Sequence, residues 1–228
     1  MRQEWPEVVV TVHPDEGDWD LLESVGRVQA WVAGPGMGTD RDAVARLTAI
    51  LRTDLPVLVD ADGLTILSQH EDLLPRPDGL EGPAPTLITP HAGELARLLG
   101  TDPASVEVRR LEHARRAASQ LGVTVLLKGS TTVIASPDAS RDGPVLVNPT
   151  GTPWLATAGS GDVLSGLAGA LLAQGLAPAQ AGLAGAYLHG LAGRLAAAGP
   201  PGGAGQAGQA PIGASDLVRA LPAAFRSL

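Results

Sequence analysis

Short runs of β-branched and aliphatic residues recur along this chain, and stretches with a helical period stand between them. "VVVTVH" (8–13), "VQAWVAG" (28–34), "PVLVDAD" (56–62), "TLITP" (86–90) and "VTVLLKG" (123–129) are predicted strands. Between them, "DRDAVARLTAILRT" sets Ala43, Val44, Leu47, Ile50 and Leu51 on one helical face. "GELARLLG" is a short helix closed by Gly100, and "SVEVRRLEHARRAASQLG" a longer one with Val108, Leu111 and Leu121 in phase and Gly122 as its stop. Strand alternating with helix leaves few choices: an α/β fold with a mostly parallel central sheet and helices on both faces.

The rhythm then changes. "VLLKG", "TTVIAS" and "VLVN" follow one another without room for a helix, so an antiparallel hairpin extension is expected, with "PDASRDGP" at the tip of its second turn. Two Ala/Gly-rich helices come next, at 161–175 and about 178–198. In the second, Gly182, Ala186 and Gly190 recur every four residues, as do Gly185, His189 and Gly193, so helix axes can approach closely. "PPGGAGQAGQAP" (200–211) reads as a flexible loop, and Ser215 as the cap of a last helix, "SDLVRALP". No shift of composition divides the chain, so residues 1–228 are expected to form a single domain.

Composition removes several classes of function. Aromatic residues are only 3% of the chain, so the core must be Leu, Val and Ala. With no cysteine there is neither a disulfide nor a thiolate metal site. A net charge of −8 argues against a nucleic-acid surface, and means that a phosphate ligand must be held by local devices such as helix N-termini, a lysine or a metal ion. The apolar run after Asp162 is cut by Gln174 and Pro178, short of the ~18 residues a membrane span needs. "MRQEWPEVVV" has no apolar signal region, so a cytoplasmic protein with no membrane partner is expected.

Several motifs could carry chemistry. In "TAGSGD", glycines free backbone N–H groups at a helix start, which makes an anion hole. Asp162 would repel a phosphate there. It suits a base that faces a hydroxyl attacking phosphorus, and equally a simple helix cap. "KGSTT" (128–132) ends a strand with the only lysine of the chain. Lys128, Ser130, Thr131 and Thr132 could contact phosphate or ribose, or form a plain hairpin turn with a surface lysine; as a nucleotide contact at a strand end outside the core, Lys128 is expected to be dispensable for the fold. "GPGMGTD" (34–40) is either a turn on which a ligand lies or a tight strand–helix turn capped by Thr39. In "TPHAGE", Glu94 could hold a magnesium-bound water and His91 could touch substrate, or the two could pair as a solvated cap. Asp60 and Asp62 of "VDADGL" border the ligand crevice or cap the next helix. His13, His70, His113 and His189 read as surface or interhelical residues.

The order of these motifs, followed by "AYLHGLAG" and "ASDLVRALP", resembles the ADP/ATP-dependent NAD(P)H-hydrate dehydratases of the ribokinase-like superfamily, from about Pro6 to Leu221. The resemblance implies a ribokinase-like fold and a homo-oligomeric repair lyase. Such an enzyme restores NAD(P)H from the S epimer of its hydrate at the expense of ADP or ATP, with Mg²⁺. It implies that Gly36, Gly38 and His91 border NAD(P)H hydrate, that Lys128, Gly129, Ser130, Thr131, Thr132 and Gly161 hold the adenine nucleotide, and that Asp162 faces the substrate hydroxyl. Relatives carry an additional N-terminal strand–helix–strand segment, so a gap in the sheet, poor stability or association, and little dehydratase activity are expected of this chain alone. A kinase of the same fold for a hydroxymethylpyrimidine or hydroxyethylthiazole, and a catalytically silent nucleotide-binding remnant, are the competing readings.

Overall fold

The computed structural model describes residues 8–9, 25–76, 78–79, 82–137, 144–199 and 208–228. Most of the strand expected at 8–13, the tip of the second hairpin turn and the first part of the 200–211 loop lie outside the described residues.

Six strands form one sheet: β1 (Trp31–Ala33), β2 (Val57–Val59), β3 (Thr86–Ile88), β4 (Thr124–Leu127), β5 (Thr132–Ala135) and β6 (Leu146–Asn148). β1 to β4 are parallel, and β4–β5 and β5–β6 pair antiparallel, as expected of the hairpin extension. Pairing is uninterrupted from β1 to β6. The gap expected inside the sheet is not there, because Trp31–Ala33 pairs directly with Val57–Val59.

Alternation along buried strands divides the core in two. Val57, Val59, Ile88, Val125 and Leu127 point to one face, under α1 (Arg41–Leu51), α2 (Asp62–Gln69), α3 (Ala92–Leu99) and α5 (Arg110–Leu121). Leu58, Leu87, Leu126 and Ile134 point to the other, under α6 (Ser160–Ala173) and α7 (Pro178–Ala198). Small residues allow close approach on this second face: a Cβ on Gly185 would stand 3.2 Å from that of Ala168 in α6, and one on Gly190 would overlap Thr150. α8 (Ala214–Arg226) packs Leu217 and Ala224 against Leu188 and Ala192 of α7.

Three local expectations are corrected. The helix predicted across 105–122 is two helices, α4 (Pro103–Val108) and α5, because Arg109 leaves the helical region at φ −125°, ψ 49°. The break resets the helical phase. Val108 and Leu111 are therefore exposed, and α5 buries His113, Ala114, Ala117 and Ala118, with His113 Nδ1 3.0 Å from Arg109 O. Asp40 rather than Thr39 caps α1, its Oδ1 accepting from Ala43 N at 2.8 Å. The N-cap of α8 is Gly213, not Ser215, with Asp216 Oδ2 accepting from Gly213 N, and the helix runs through Pro222. Proline removes one ladder bond there, and the packing of Leu221 and Ala224 on the neighbouring helices holds the remaining turn.

Candidate active site

The carboxyl ends of β1, β2, β3 and β4 meet the first turn of α6 at one edge of the sheet, where open α/β folds bind ligands. β1 ends in Gly34, at φ 124°, whose Cα lies against the Asp60 carbonyl so closely that a Cβ would overlap it. This contact draws the "GPGMG" turn onto the end of β2. Gly36 and Gly38, at φ 67° and 77°, are exposed, and a Cβ on Gly36 would meet nothing within 4 Å. The turn is fixed from below by Gly38 N, which donates to Asp62 Oδ2 at 2.9 Å. Gly34→Ala should therefore cost at least ~2 kcal/mol of stability, since it adds a backbone overlap to a positive φ. A melting curve superimposable on that of the parent protein would contradict the close approach.

β2 ends in Asp60, only 1% exposed. A buried carboxylate needs partners. Lys128 Nζ, at the end of β4, donates to Asp60 Oδ1 at 2.7 Å, and Ser165 Oγ, in α6, donates to Oδ2 at 2.7 Å. Glu94 Oε2 stands 3.9 Å from the same ammonium. Lys128 is thus no surface lysine of a hairpin turn, and the expectation that it is dispensable for the fold is corrected: it is the counter-ion of a buried acid. Neither Asp60 nor Asp62 caps α2. Asp60 holds Lys128, Asp62 holds the glycine turn, and Ala61 between them takes φ 49°, ψ −119°.

Gly159, φ 79°, stands at the N-cap of α6, and no side chain caps the helix. Ser160 N donates to Thr157 O and Val163 N to Gly159 O; among the described residues, the intervening N–H groups of Gly161 and Asp162 donate to nothing. Two open amides and the helix dipole make an anion site. A Cβ on Gly161 would lie 3.5 Å from Lys128 Nζ, so the site and the ammonium adjoin. Asp162 is exposed, and its carboxylate bonds to no described group, so it does not cap the helix.

The first turn of α6 is held from α7. His189 Nε2 lies 2.9 Å from Ser160 O and 3.3 Å from Ser160 Oγ. Burial, reinforced by nearby Lys128, pushes the His189 imidazole below its usual range although the bond to Ser160 opposes this. A neutral folded His189 and an unfolded one that takes a proton near pH ~6.5 mean that the unfolded chain binds more protons below that pH. Stability should therefore fall as pH drops from about 7.5 towards 5, and His189→Gln should flatten that dependence. Melting temperatures across this range that are as steep for the variant as for the parent would contradict the assignment.

His91 and Glu94 form a reciprocal cap on α3. His91 Nδ1 accepts from Gly93 N at 3.0 Å and Glu94 N at 3.3 Å, and Glu94 Oε2 accepts from His91 N at 2.7 Å. The cap is not a solvated pair, because Glu94 is buried beside Lys128 while the His91 ring is exposed. With Nδ1 accepting, the neutral ring carries its proton on Nε2. A cleft of about 440 Å³ opens between this cap, α4 and Lys128–Gly129. Beyond Gly129 the turn runs through exposed Ser130 and half-buried Thr131 and Thr132 into β5.

Of the residues singled out by sequence, Lys128, Glu94, His91, Gly129 and Gly161 form one contiguous cluster, with Asp162 following Gly161. Gly36 and Gly38 join it through Asp62 and the Gly34–Asp60 contact. Asp60 was expected to border the crevice or cap the next helix, and its pairing with Lys128 and Ser165 was not read, nor were the roles of Ser165 and Gly34. An acid ending an apolar strand, and the chain's only lysine ending another, were the available signals for the central pair.

An anion-binding helix start set against a lysine at the carboxyl edge of a parallel-then-antiparallel sheet defines the class, a ribokinase-like α/β protein. A ribokinase-like protein of Enterococcus faecalis overlays 91% of the chain, with a TM-score of 0.70 at 27% identity. The family itself follows from the sequence: its profile matches residues 1–203, and the chain belongs to the NAD(P)H-hydrate dehydratase family. The bifunctional NAD(P)H-hydrate repair enzyme of Mycobacterium leprae is 48% identical over 98% of this chain, which spans 42% of that protein. The ADP-dependent (S)-NAD(P)H-hydrate dehydratase of Neisseria meningitidis is 47% identical over 76% of this chain and 57% of its own length. A Bacillus subtilis ADP/ATP-dependent NAD(P)H-hydrate dehydratase, crystallised with ATP and Mg²⁺, overlays 87% of this chain and 64% of its own, with a TM-score of 0.69 and 30% identity. A hydroxyethylthiazole kinase of Pyrococcus horikoshii overlays with a TM-score of 0.68, but at 19% identity this likeness concerns the fold alone. No helix among the described residues is long and apolar enough to cross a membrane.

Proposed function

We propose that this chain carries an ADP- or ATP-dependent (6S)-NAD(P)H-hydrate dehydratase site, in a cytoplasmic homo-oligomer. The observation that carries the reading is the unpartnered Asp162 carboxylate in the first turn of a helix whose two open amides adjoin Lys128 through Gly161. In this reading the amides of Gly161 and Asp162 and the Lys128–Thr132 turn hold the nucleotide phosphates, while Gly36, Gly38 and His91 border the hydrated nicotinamide.

Asp162 takes the proton of the ring hydroxyl. The hydroxyl oxygen forms a bond to the terminal phosphorus, and the bridging P–O bond to the nucleotide breaks. The carbon–oxygen bond of the ring then breaks with phosphate as leaving group, driven by the ring-nitrogen lone pair. Loss of a proton from the adjacent carbon restores the dihydronicotinamide. Lys128 neutralises charge on the transferring group.

Among the described residues, no group of three or more His, Asp or Glu could hold a metal ion by itself. Mg²⁺ nonetheless fits the site, since it is commonly bound by one or two carboxylates together with substrate phosphates, and Glu94 Oε1 accepts from no described group. When bound, the ion would neutralise phosphate charge. The reading is tested by supplying ADP or ATP and hydrated NADH and following the dihydronicotinamide absorbance. Nucleotide consumption without its return would contradict it.

A further inference from the structure

The peptide unit fixes a direction that the cluster itself does not reveal. In a planar trans peptide, the C=O of one residue and the N–H of the next point in opposite directions. Arg110 Nη2 donates to the carbonyls of Lys128 at 2.8 Å, Leu127 at 3.2 Å and Thr131 at 3.3 Å. These are the carbonyls of the turn that follows β4. With the Leu127 carbonyl drawn to Arg110, the Lys128 N–H must point away from it, and it does: it donates to Pro90 O at 2.8 Å. With the Lys128 carbonyl drawn to Arg110, the Gly129 N–H is likewise turned away from the guanidinium. Among the described residues it donates to nothing, and Gly129 lines the 440 Å³ cleft.

We propose that Arg110 is a positioning residue of the nucleotide site, turning the Lys128–Thr132 loop so that the Gly129 N–H is presented to a phosphate of the adenine nucleotide. The proposal rests on the nucleotide reading given above and deepens it. The guanidinium is itself held. Its Nη1 lies 2.6 Å from Glu107 Oε2, its side chain is only 14% exposed, and the break at Arg109 between α4 and α5 brings it under the strand end. Gly129 packs on it so closely that a Cβ would collide with the guanidinium. A planar fork that binds an acid at one tip and several carbonyls at the other is a task for arginine, and lysine reproduces it only in part.

The test uses the full 228-residue protein with Arg110→Gln and Arg110→Lys. Titration with ADP, and with ATP in parallel, should give a dissociation constant raised about tenfold for the glutamine variant, with lysine in between. In amide NMR spectra, ADP should shift the Gly129 resonance of the parent protein but not that of Arg110→Gln. A merely structural role would lower the melting temperature and leave both readouts of the folded protein unchanged. If the glutamine variant does not fold, the lysine variant decides by the same two readouts. Parent-like affinity together with a parent-like Gly129 shift in the variants overturns the proposal while the nucleotide reading stands. A parent protein that binds neither ADP nor ATP overturns both.

Discussion

Asp162→Asn should reduce turnover by ~10²–10⁴ while nucleotide affinity and melting temperature stay close to those of the parent protein. The separation follows from the geometry. In the proposed site the phosphate at this helix start is held by the main-chain amides of Gly161 and Asp162, which have no described partner and which the substitution leaves in place. The carboxylate is exposed, makes no bond to a described group and caps nothing, so its loss removes no structural contact. Asparagine matches aspartate in shape and cannot accept a proton at neutral pH. Single-turnover measurements, with calorimetric titration of ADP on the same preparation, give both quantities. Parent-like turnover would make Asp162 a bystander in the first turn of α6.

Lys128→Ala should weaken nucleotide binding and also destabilise the fold. Removing the ammonium leaves Asp60, which is 1% exposed, with Ser165 as its only remaining side-chain partner among the described residues, beside buried Glu94. Stranding one member of a buried pair costs about 3 kcal/mol, a fall in melting temperature of roughly 6–12 °C for a chain of this size. Removing both charges separates the two effects. Asp60→Asn with Lys128→Met should recover part of the melting temperature, since Asp60 is then no longer a buried charge without its counter-ion while Glu94 still loses the nearby ammonium, and should not recover nucleotide affinity. A double variant as unstable as Lys128→Ala would contradict the pairing. One that binds ADP normally would remove Lys128 from the nucleotide site.

The strands were legible because a parallel sheet buried on both faces writes itself as apolar runs, so "VLV" and "TVLL" stand out. Their ends were less so: the run 28–34 contributes only Trp31–Ala33 to the ladder, where Gly34 turns the chain towards Asp60. The break at Arg109 carries no proline or glycine, and the apparent phase of Val108 and Leu111 pointed to a continuous helix. Lys128, Glu94, His91 and Gly161 were legible as motif positions, and the sheet topology brings them together. Asp60 was legible as an acid at the crevice but its pairing was not, because that depends on a residue 68 positions away. Arg110 was hidden for a similar reason: inside a charged helix its sequence signature is that of a solvated face, and only the geometry directs it to backbone carbonyls.

The most direct measurement supplies the 228-residue protein with the S epimer of hydrated NADH and ADP, with ATP in a parallel arm. Dihydronicotinamide absorbance and nucleotide consumption are followed together. The predicted result is that absorbance returns in step with nucleotide cleavage, one phosphate released for each NADH restored, and that Asp162→Asn abolishes both. Nucleotide bound or cleaved with no return of the dihydronicotinamide, by a folded protein and at every ratio of the two substrates, would contradict it.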